Sequence, residues 1–339
     1  MHSPTTSAGE AAQRSFAAAV DKIGEVVVRR VAAGRTIELH IAGDALVDAL
    51  TKALPPAPDD SPADLTVLAW DDASSGVGFP RPAGAPALEA ARGRRHDNAT
   101  MPRVMEQPTE RVVTLLDGDF AAVFVEDAAV LPSYVHGAPL LHALSWWLAD
   151  QGGYLVHASC VGGPGGAAMF VGPGGSGKST SALACLGSAV GYISDDYTVV
   201  TTPPQPTATS LYYSAKLHRP HLAEVSRQLG SLPTTADPTA AADDKALLML
   251  DHAALAPGGP LRAIVLPRVG PHSSHRVSPA SAGEAFTALA PSTVLQLPGV
   301  GARHLTAMRR LCEAIPAYTL ELSPDIATIP DAITHLLAS

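Results

Sequence analysis

The first 137 residues carry short runs rich in apolar and β-branched residues, separated by polar and Pro-rich stretches, which is typical of half-buried strands. The segment 44–54 has helical spacing, with Asp44 as its predicted N-cap. Residues 1–12 are small and polar and predict a disordered tail, while 13–137 predict an N-terminal α+β domain, for which substrate recognition and a partner surface are both open roles. The predicted strands of this domain are 25–31, 36–41, 65–70, 111–116 and 120–125.

A different pattern begins at residue 138. Residues 138–150 place leucines and a tryptophan at helical spacing and predict an amphipathic helix. Short apolar strands separated by glycines follow, and the order strand, glycine loop, helix, strand is typical of an α/β unit with mixed or parallel pairing. We therefore predict an α/β domain over 138–339, with a polar lid or linker at 228–243. Its predicted strands are 154–161, 167–171, 191–200, 246–250, 263–266 and 317–321, and its predicted helices begin at Lys178 and near Pro330 and cover 282–290 and 302–314.

Composition narrows the function classes. The net charge of -9, with only 23 Lys and Arg residues, argues against nucleic acid or an anionic membrane as a partner. No apolar run reaches the roughly 18–20 residues of a membrane span, and the N-terminus lacks a signal-peptide pattern, so we expect a cytoplasmic protein. Cys160, Cys185 and Cys312 form no CxxC pair, and we interpret them as small buried hydrophobic residues.

The segment from Gly172 to Ser179 fits the phosphate-loop pattern G-x-x-x-x-G-K-[ST] at every fixed position. The context also fits, because the loop follows an apolar strand and opens a helix. Glycines let backbone N–H groups surround phosphate oxygens, Lys178 can reach the β- and γ-phosphates of a nucleotide, and Ser179 can bind Mg²⁺. The predicted nucleotide-binding residues are Gly172, Gly174, Gly175, Ser176, Gly177, Lys178, Ser179 and Thr180.

Two carboxylates, Asp195 and Asp196, interrupt the apolar segment 191–200. Neighbouring strand residues point to opposite faces, so the two carboxylates have different roles unless the strand ends or bulges there. One of them is predicted to face Mg²⁺ and the other the incoming nucleophile. His157 precedes the loop in the stretch YLVHASCV, where a structural role and a role at the phosphate or beside an Asp both remain open.

Together, VHASCV, VGPGGSGKST and GYISDDYTVV resemble the kinase domain of the bacterial HPr serine kinase/phosphorylase family, whose fold is related to that of the phosphoenolpyruvate carboxykinases. The resemblance is strongest over 150–200. It implies an ATP- and Mg²⁺-dependent serine or threonine kinase, with Lys178 and His157 among the catalytic residues. It also implies that the Asp pair supplies the general base and a metal-linked carboxylate, and we favour Asp195 as the base and Asp196, with Ser179, at the metal.

Lys216 and Lys245 lie in later segments that also resemble HPr-kinase-related proteins, including those found beside peptide-maturation genes. In a chain poor in cations they are the favoured contacts to phosphate or substrate, although a surface role explains each equally well. The relatives suggest a peptide or small protein as the partner, with lasso-type ribosomal peptides as one class. Assembly into homo-oligomers is left open.

Two departures from the family bear on the substrate. Thr180 stands where HPr kinases usually carry an acidic residue, and the first 150 residues do not resemble their N-terminal domain, which argues against HPr as the acceptor and against the reverse phosphorylase activity. Two other functions stay open: a kinase for a sugar, nucleoside or amino acid, and a non-catalytic nucleotide-dependent binding module.

Overall fold

The computed structural model describes residues 7–58, 60–80, 88–90, 93–96, 102–202, 204–230, 234–236, 245–297 and 301–338. The chain forms two compact units, Met1–Trp147 and Leu148–Ser339, divided inside the helix that was predicted at 138–150. We call them the N-terminal unit and the C-terminal unit. Both contain sheets and helices, which confirms the mixed α/β class. None of the described helices is both long and apolar enough to cross a bilayer.

One mixed sheet of eight strands forms the N-terminal unit, in the order β1-β2-β3-β8-β7-β6-β5-β4. Strand β3 pairs parallel with β2 and with β8, and the other pairs are antiparallel. The five predicted strands are confirmed as β1, β2, β3, β7 and β8, with bounds that differ by a residue or two. The strands are β1 (Glu25–Ala32), β2 (Arg35–Ala42), β3 (Leu65–Asp71), β4 (Leu88–Ala90), β5 (Gly93–His96), β6 (Arg103–Gln107), β7 (Val112–Asp117) and β8 (Phe120–Val125).

The N-terminal tail prediction is wrong from residue 8 onward. Helix α1 spans Ala8–Ile23, and residues 1–6 lie outside the described part of the chain. Ser7 and Glu10 form a reciprocal capping box that satisfies backbone groups at the helix start. Phe16 is buried in a cluster with Trp70. Capping and one apolar face therefore order a segment whose small polar composition had suggested disorder.

The helix predicted at 44–54 is much shorter than expected. Helix α2 covers Val47–Thr51, and its N-cap is Leu46, so Asp44 is not the cap. The Asp44 carbonyl instead accepts a turn hydrogen bond from Val47 N–H at 3.1 Å. Pro55 disfavours helical backbone at Leu54, so the helix could not have extended beyond the predicted end. The described part of this unit also contains α3 (Asp72–Ser75), α4 (Ser133–Gly137) and a 3-10 turn at Ala128–Val130, and α5 (Leu141–Asp150) crosses the boundary between the units.

A nine-stranded mixed sheet dominates the C-terminal unit, with the main order β12-β10-β11-β18-β14-β13-β9. Strand β18 pairs parallel with β11 and with β20, and β19 pairs antiparallel with β20. A second sheet has the order β15-β17-β16. The strands are β9 (Gly153–Val156), β10 (Ser159–Gly163), β11 (Gly166–Phe170), β12 (Gly191–Ser194), β13 (Thr198–Thr201), β14 (Thr207–Ser210), β15 (Ser214–His218), β16 (Thr234–Ala236), β17 (Lys245–Leu250), β18 (Gly259–Val269), β19 (Arg276–Ala280) and β20 (Ala317–Leu322).

Helices cover both faces of this larger sheet. Along β11, Ala168 and Phe170 belong to one buried cluster, while Ala167 and Met169 belong to another. A strand buried on both faces reads as a continuous apolar run, as the sequence does here. The helical segments are α6 (Lys178–Ala184), α7 (Arg219–Leu229), α8 (Ala282–Gln296), α9 (Ala302–Ala314), α10 (Ile329–Ala338) and 3-10 turns at His252–Ala254 and Ile326–Thr328.

The two long strands predicted at 154–161 and 191–200 are each divided. Residues 157–158 separate β9 from β10, and 195–197 separate β12 from β13. Strand β9 pairs with β13, whereas β10 pairs with β12 and β11, so each chain segment leaves one part of the sheet and enters another. The registers Val156↔Thr198 and Cys160↔Ser194 flank both breaks. The breaks therefore lie opposite each other.

The predicted lid at 228–243 falls mostly outside the described residues. Its first two residues end α7, and 234–236 form β16. The interpretation of the cysteines is confirmed, because all three are free and buried. Burial raises the pKa of the Cys185 thiol to about 12.

Candidate functional site

The glycine loop connects the end of β11 to the start of α6. Val171 N–H donates to the Val265 carbonyl at 2.9 Å, which fixes the loop's first residue to the central strand β18. Gly175 and Gly177 have positive φ of 79° and 102°. A Cβ on Gly177 would lie 2.6 Å from Leu322 Cδ1. Backbone conformation and close packing therefore both require glycine at 177.

Lys178 is buried within this loop, with 7% of its surface exposed. Its Nζ donates to the carbonyls of Gly172 at 2.8 Å and Pro173 at 3.1 Å. Burial lowers the pKa of the Lys178 ammonium, and the charges of Asp195 and Asp196 oppose that shift. The lysine thus lies within electrostatic range of both carboxylates that follow β12.

Asp195 is a shielded carboxylate, only 2% exposed. Its Oδ1 accepts from the Ser159 hydroxyl at 2.5 Å and its Oδ2 accepts from the Lys216 backbone N–H at 3.1 Å. The Ser179 hydroxyl also acts on this carboxylate and lowers its pKa. Burial and the charge of Asp196 outweigh these donors and raise the pKa of Asp195.

Asp196 occupies the centre of a tight turn. Tyr197 N–H donates to the Asp195 carbonyl at 2.6 Å, and Asp196 has φ of 59°, the combination found in a γ-turn with positive φ. This conformation is rare and strained, and strained backbone of this kind concentrates at functional sites. The turn is held by a hydrogen-bond chain from Ser194 through Thr198 to the Ala158 carbonyl, with distances of 2.7 and 2.9 Å.

Two basic groups face the Asp196 carboxylate. His157 Nε2 lies 3.4 Å from Oδ1, and Lys216 Nζ lies 3.5 Å from Oδ2. Burial alone would raise the pKa of Asp196, but the His157 hydrogen bond and the Lys216 charge outweigh it and place the pKa well below the usual range. The Asp196 side chain is 21% exposed. Asp196 is therefore ionised and accessible, whereas Asp195 is shielded.

His157 belongs to the connection between β9 and β10. Its backbone N–H donates to Thr293 Oγ1 at 3.0 Å, which ties the connection to α8. Its buried Nδ1 has no hydrogen-bond partner among the described residues, and neither does Ser176 Oγ in the glycine loop. The His157 imidazole therefore lies beside the Asp196 carboxylate, one of the positions that the sequence left open for it.

The predicted residues thus converge. The Ser179 hydroxyl lowers the pKa of Asp195, whereas the sequence pairs Ser179 with Asp196 at the metal. Lys245 begins β17 and its charge acts on Lys178 and Asp196, so both favoured lysines lie near the carboxylates. Arg268, another cation of the sequence, lies 3.9 Å from Glu284 with much of its side chain exposed.

Sequence reasoning missed Ser159. A lone hydroxyl in the apolar stretch YLVHASCV was the available signal, but its partner lies across the sheet at Asp195. Only the pairing of β10 with β12 brings the two together.

The oxygen donors at this site suit Mg²⁺. Within the described ranges no group of three or more His, Cys, Asp or Glu side chains could hold a metal ion by itself. Mg²⁺ typically takes one or two protein ligands, substrate phosphates and water. The Ser179 hydroxyl and the Asp195 carboxylate are of the required type, so these residues fit Mg²⁺ bound together with a nucleotide.

Comparisons with known proteins add no identity. No protein-family model matches the sequence, and no curated protein matches it significantly.

Proposed function

We propose that this protein is an ATP-dependent kinase that transfers the γ-phosphoryl group of ATP to a serine or threonine hydroxyl of a peptide or small protein. The observation that carries the proposal is that the glycine loop follows β11 and the Asp195–Tyr197 turn follows β12, and that both strands end beside the start of β10, so the loop and the two carboxylates come together there. A glycine loop alone supports nucleotide binding. A carboxylate pair beside it adds the proton acceptor that transfer to a hydroxyl needs.

On the donor side, backbone N–H groups of residues 172–177 would surround the phosphates. Lys178 would exchange the carbonyls of Gly172 and Pro173 for phosphate oxygens, which are stronger partners for a buried ammonium. Ser179 and Asp195 would hold Mg²⁺. When bound, Mg²⁺ neutralises charge that develops on the phosphate oxygens during transfer.

On the acceptor side, we assign the general base to Asp196 and the metal-linked role to Asp195, the reverse of the order favoured from the sequence. Each Asp195 oxygen already accepts a hydrogen bond inside the protein, and the residue is buried, so Asp195 is the less accessible of the two carboxylates for a substrate hydroxyl. The 21% exposure of the Asp196 side chain leaves room for a hydroxyl beside it. The His157 imidazole and the Lys216 ammonium, on either side of that carboxylate, fix its direction.

The proposed transfer is a single displacement at the γ-phosphorus of ATP. The acceptor oxygen bonds to the γ-phosphorus while its proton passes to Asp196. The bond from the γ-phosphorus to the oxygen that bridges it to the β-phosphate breaks, and ADP leaves. The low pKa of Asp196 keeps it ionised before this step, so its main contribution is to orient the hydroxyl and to take the proton as the new bond forms.

The class of acceptor rests on the likeness to HPr-kinase-related proteins, and the experiment therefore screens several classes. The protein is incubated with Mg²⁺, γ-labelled ATP and three panels: Ser- and Thr-containing peptides, small proteins, and sugars, nucleosides and amino acids. Label on a peptide or protein hydroxyl supports the proposal. Label found only on metabolites replaces the acceptor class, and ATP binding without transfer to any panel would favour a non-catalytic module.

The Asp196→Asn variant tests the assignment of the base. Asparagine tolerates positive φ, so the turn should persist. We expect transfer to fall by about 10²- to 10⁴-fold while ATP binding is retained. Asp325→Asn is the matched control, because Asp325 caps a 3-10 turn and asparagine is an equally good cap. Unchanged transfer in Asp196→Asn would refute the assignment.

A further inference from the structure

Ser159 is a buried hydroxyl in apolar surroundings. It opens β10 with no surface exposed, and its chain neighbours Ala158 and Cys160 are equally buried. A hydroxyl in such a position needs a hydrogen-bond partner to offset the loss of water. Its Oγ donates to Asp195 Oδ1 at 2.5 Å. Alanine would be enough for packing at this position, so the role of the Ser159 hydroxyl is its hydrogen bond to the Asp195 carboxylate.

The position of Ser159 links the glycine loop to the Asp pair. It pairs in register with Phe170, the last residue of β11 before the loop. The next residue, Cys160, pairs with Ser194, the last residue of β12 before Asp195. Ser159 thus lies between the two strands that deliver the two halves of the site.

Two donors from two parts of the chain fix the Asp195 carboxylate. The Ser159 hydroxyl donates to Oδ1 from β10, and the Lys216 backbone N–H donates to Oδ2 from β15. Of these, only Ser159 contributes a side chain that has no other role in the proposed reaction. Removing its hydroxyl would free Oδ1 and let the carboxylate rotate away from Ser179.

We propose that Ser159 is a positioning residue that orients the Asp195 carboxylate toward the Ser179 hydroxyl and thereby sets the affinity of the site for Mg²⁺ in the presence of ATP. This inference rests on the proposed function, because it takes Mg²⁺ and ATP as the ligands. Groups that orient a metal ligand from behind are commonly worth 10- to 100-fold in metal affinity.

The experiment measures binding, independent of turnover. A fluorescent ATP analogue is titrated into the full chain in EDTA and at a series of Mg²⁺ concentrations, for wild type, Ser159→Ala, Ser159→Thr and Ser181→Ala. Ser181 is the matched control, since it is a fully buried serine on α6 whose Oγ has no partner among the described residues. Thermal unfolding in EDTA checks that each variant is folded.

For Ser159→Ala we expect about a 10- to 100-fold rise in the Mg²⁺ concentration needed for half-maximal enhancement of binding, with binding in EDTA unchanged. Ser159→Thr keeps the hydroxyl and should recover most of the wild-type response, and Ser181→Ala should match wild type. A wild-type response in Ser159→Ala, or an equal loss in Ser181→Ala, would overturn the inference and leave the proposed function standing. A wild-type chain that showed no Mg²⁺-dependent ATP binding would overturn both.

Discussion

Each of the two units contains a cluster in which a histidine meets carboxylates and a basic residue. In the N-terminal unit, His40 Nδ1 lies 2.7 Å from Glu25 Oε1, His40 Nε2 lies 3.0 Å from Glu38 Oε1, and an Arg29 nitrogen lies 2.6 Å from Glu38 Oε2. We call these four residues the hairpin cluster. All of them belong to β1 and β2, and Arg29 lies directly opposite Glu38. Opposite charges on paired strands stabilise a sheet, so the hairpin itself explains the cluster.

Pairing of two neighbouring strands does not explain the second cluster, which belongs to the C-terminal unit. We call it the site cluster, and it consists of His157, Asp195, Asp196 and Lys216. Its members come from the β9–β10 connection, the turn after β12, and β15. Two carboxylates of adjacent residues lie within electrostatic range of each other and of the buried Lys178, and Asp196 has positive φ. Placing like charges together under cover costs stability. Residue types therefore do not single out a candidate site, whereas burial, strain and the convergence of distant segments distinguish this cluster from the hairpin cluster.

The sharpest test of this contrast removes one cation from each unit. Lys178→Met should reduce phosphoryl transfer roughly 10²- to 10³-fold or more, the scale for losing one preorganised group that stabilises transition-state charge. Arg29→Met, the matched change in the hairpin cluster, should leave transfer unchanged. Transfer to the acceptor found in the screen is measured under saturating ATP. Equal losses of phosphoryl transfer in the two variants would contradict the distinction between the site cluster and the hairpin cluster.

Replacing the histidine of each cluster should have a smaller effect on phosphoryl transfer. His157→Gln should lower transfer by roughly 10- to 100-fold, because Asp196 loses one of its two orienting partners. This loss is at or below the one expected when a group that itself transfers the proton is removed. His40→Gln should not change it. Measuring kcat and KM separately matters here, since a misdirected base lowers kcat while nucleotide binding persists. A normal kcat in His157→Gln would mean that Lys216 alone holds the carboxylate.

Two loop glycines test whether the site's backbone is constrained as the structure indicates. Gly177→Ala combines a positive φ with a clash against Leu322 and should destabilise the fold by about 1–3 kcal/mol and weaken ATP binding. Gly174→Ala meets nothing within 4 Å and should be nearly neutral for stability. Urea denaturation and ATP titration of both variants give the comparison. Equal stability of the two would show that the loop conformation is not fixed at 177.

The smallest effect is expected in the hairpin cluster, and it depends on pH. The pKa of Glu38 is lowered mainly by hydrogen bonds from Arg29 and His40. The Glu38 carboxylate therefore adds stability above the unfolded carboxyl pKa of about 4.3, and that contribution declines as pH falls from there through the lower folded pKa. By urea denaturation, Glu38→Gln should cost less than about 1 kcal/mol at pH 7 and less still at pH 3. A larger loss of stability at pH 3 than at pH 7 would contradict the expected direction of the pH dependence.

Local patterns were sufficient for much of the fold. The strands of the β1–β2 and β7–β8 hairpins, the long helix α9 and the glycine loop were predicted within a residue or two, because alternation, helical spacing and turn residues act over a few positions. The errors occurred where local signals compete. At Ser7 a capping box overrode small polar composition, and at Asp44 a turn formed where a cap was predicted.

The sequence by itself determined that a glycine loop with Lys178 and Ser179 lies between a buried strand and a helix, and that two carboxylates and a histidine lie nearby along the chain. It did not determine how they face one another. Only the tertiary structure decided that the strands break at His157 and at Asp195, and that Ser159 holds the Asp195 carboxylate from across the sheet. The reason is physical: strand pairing between β10, β11 and β12 is a long-range property of the folded sheet, and the different burial of two adjacent aspartates exists only once that sheet has formed.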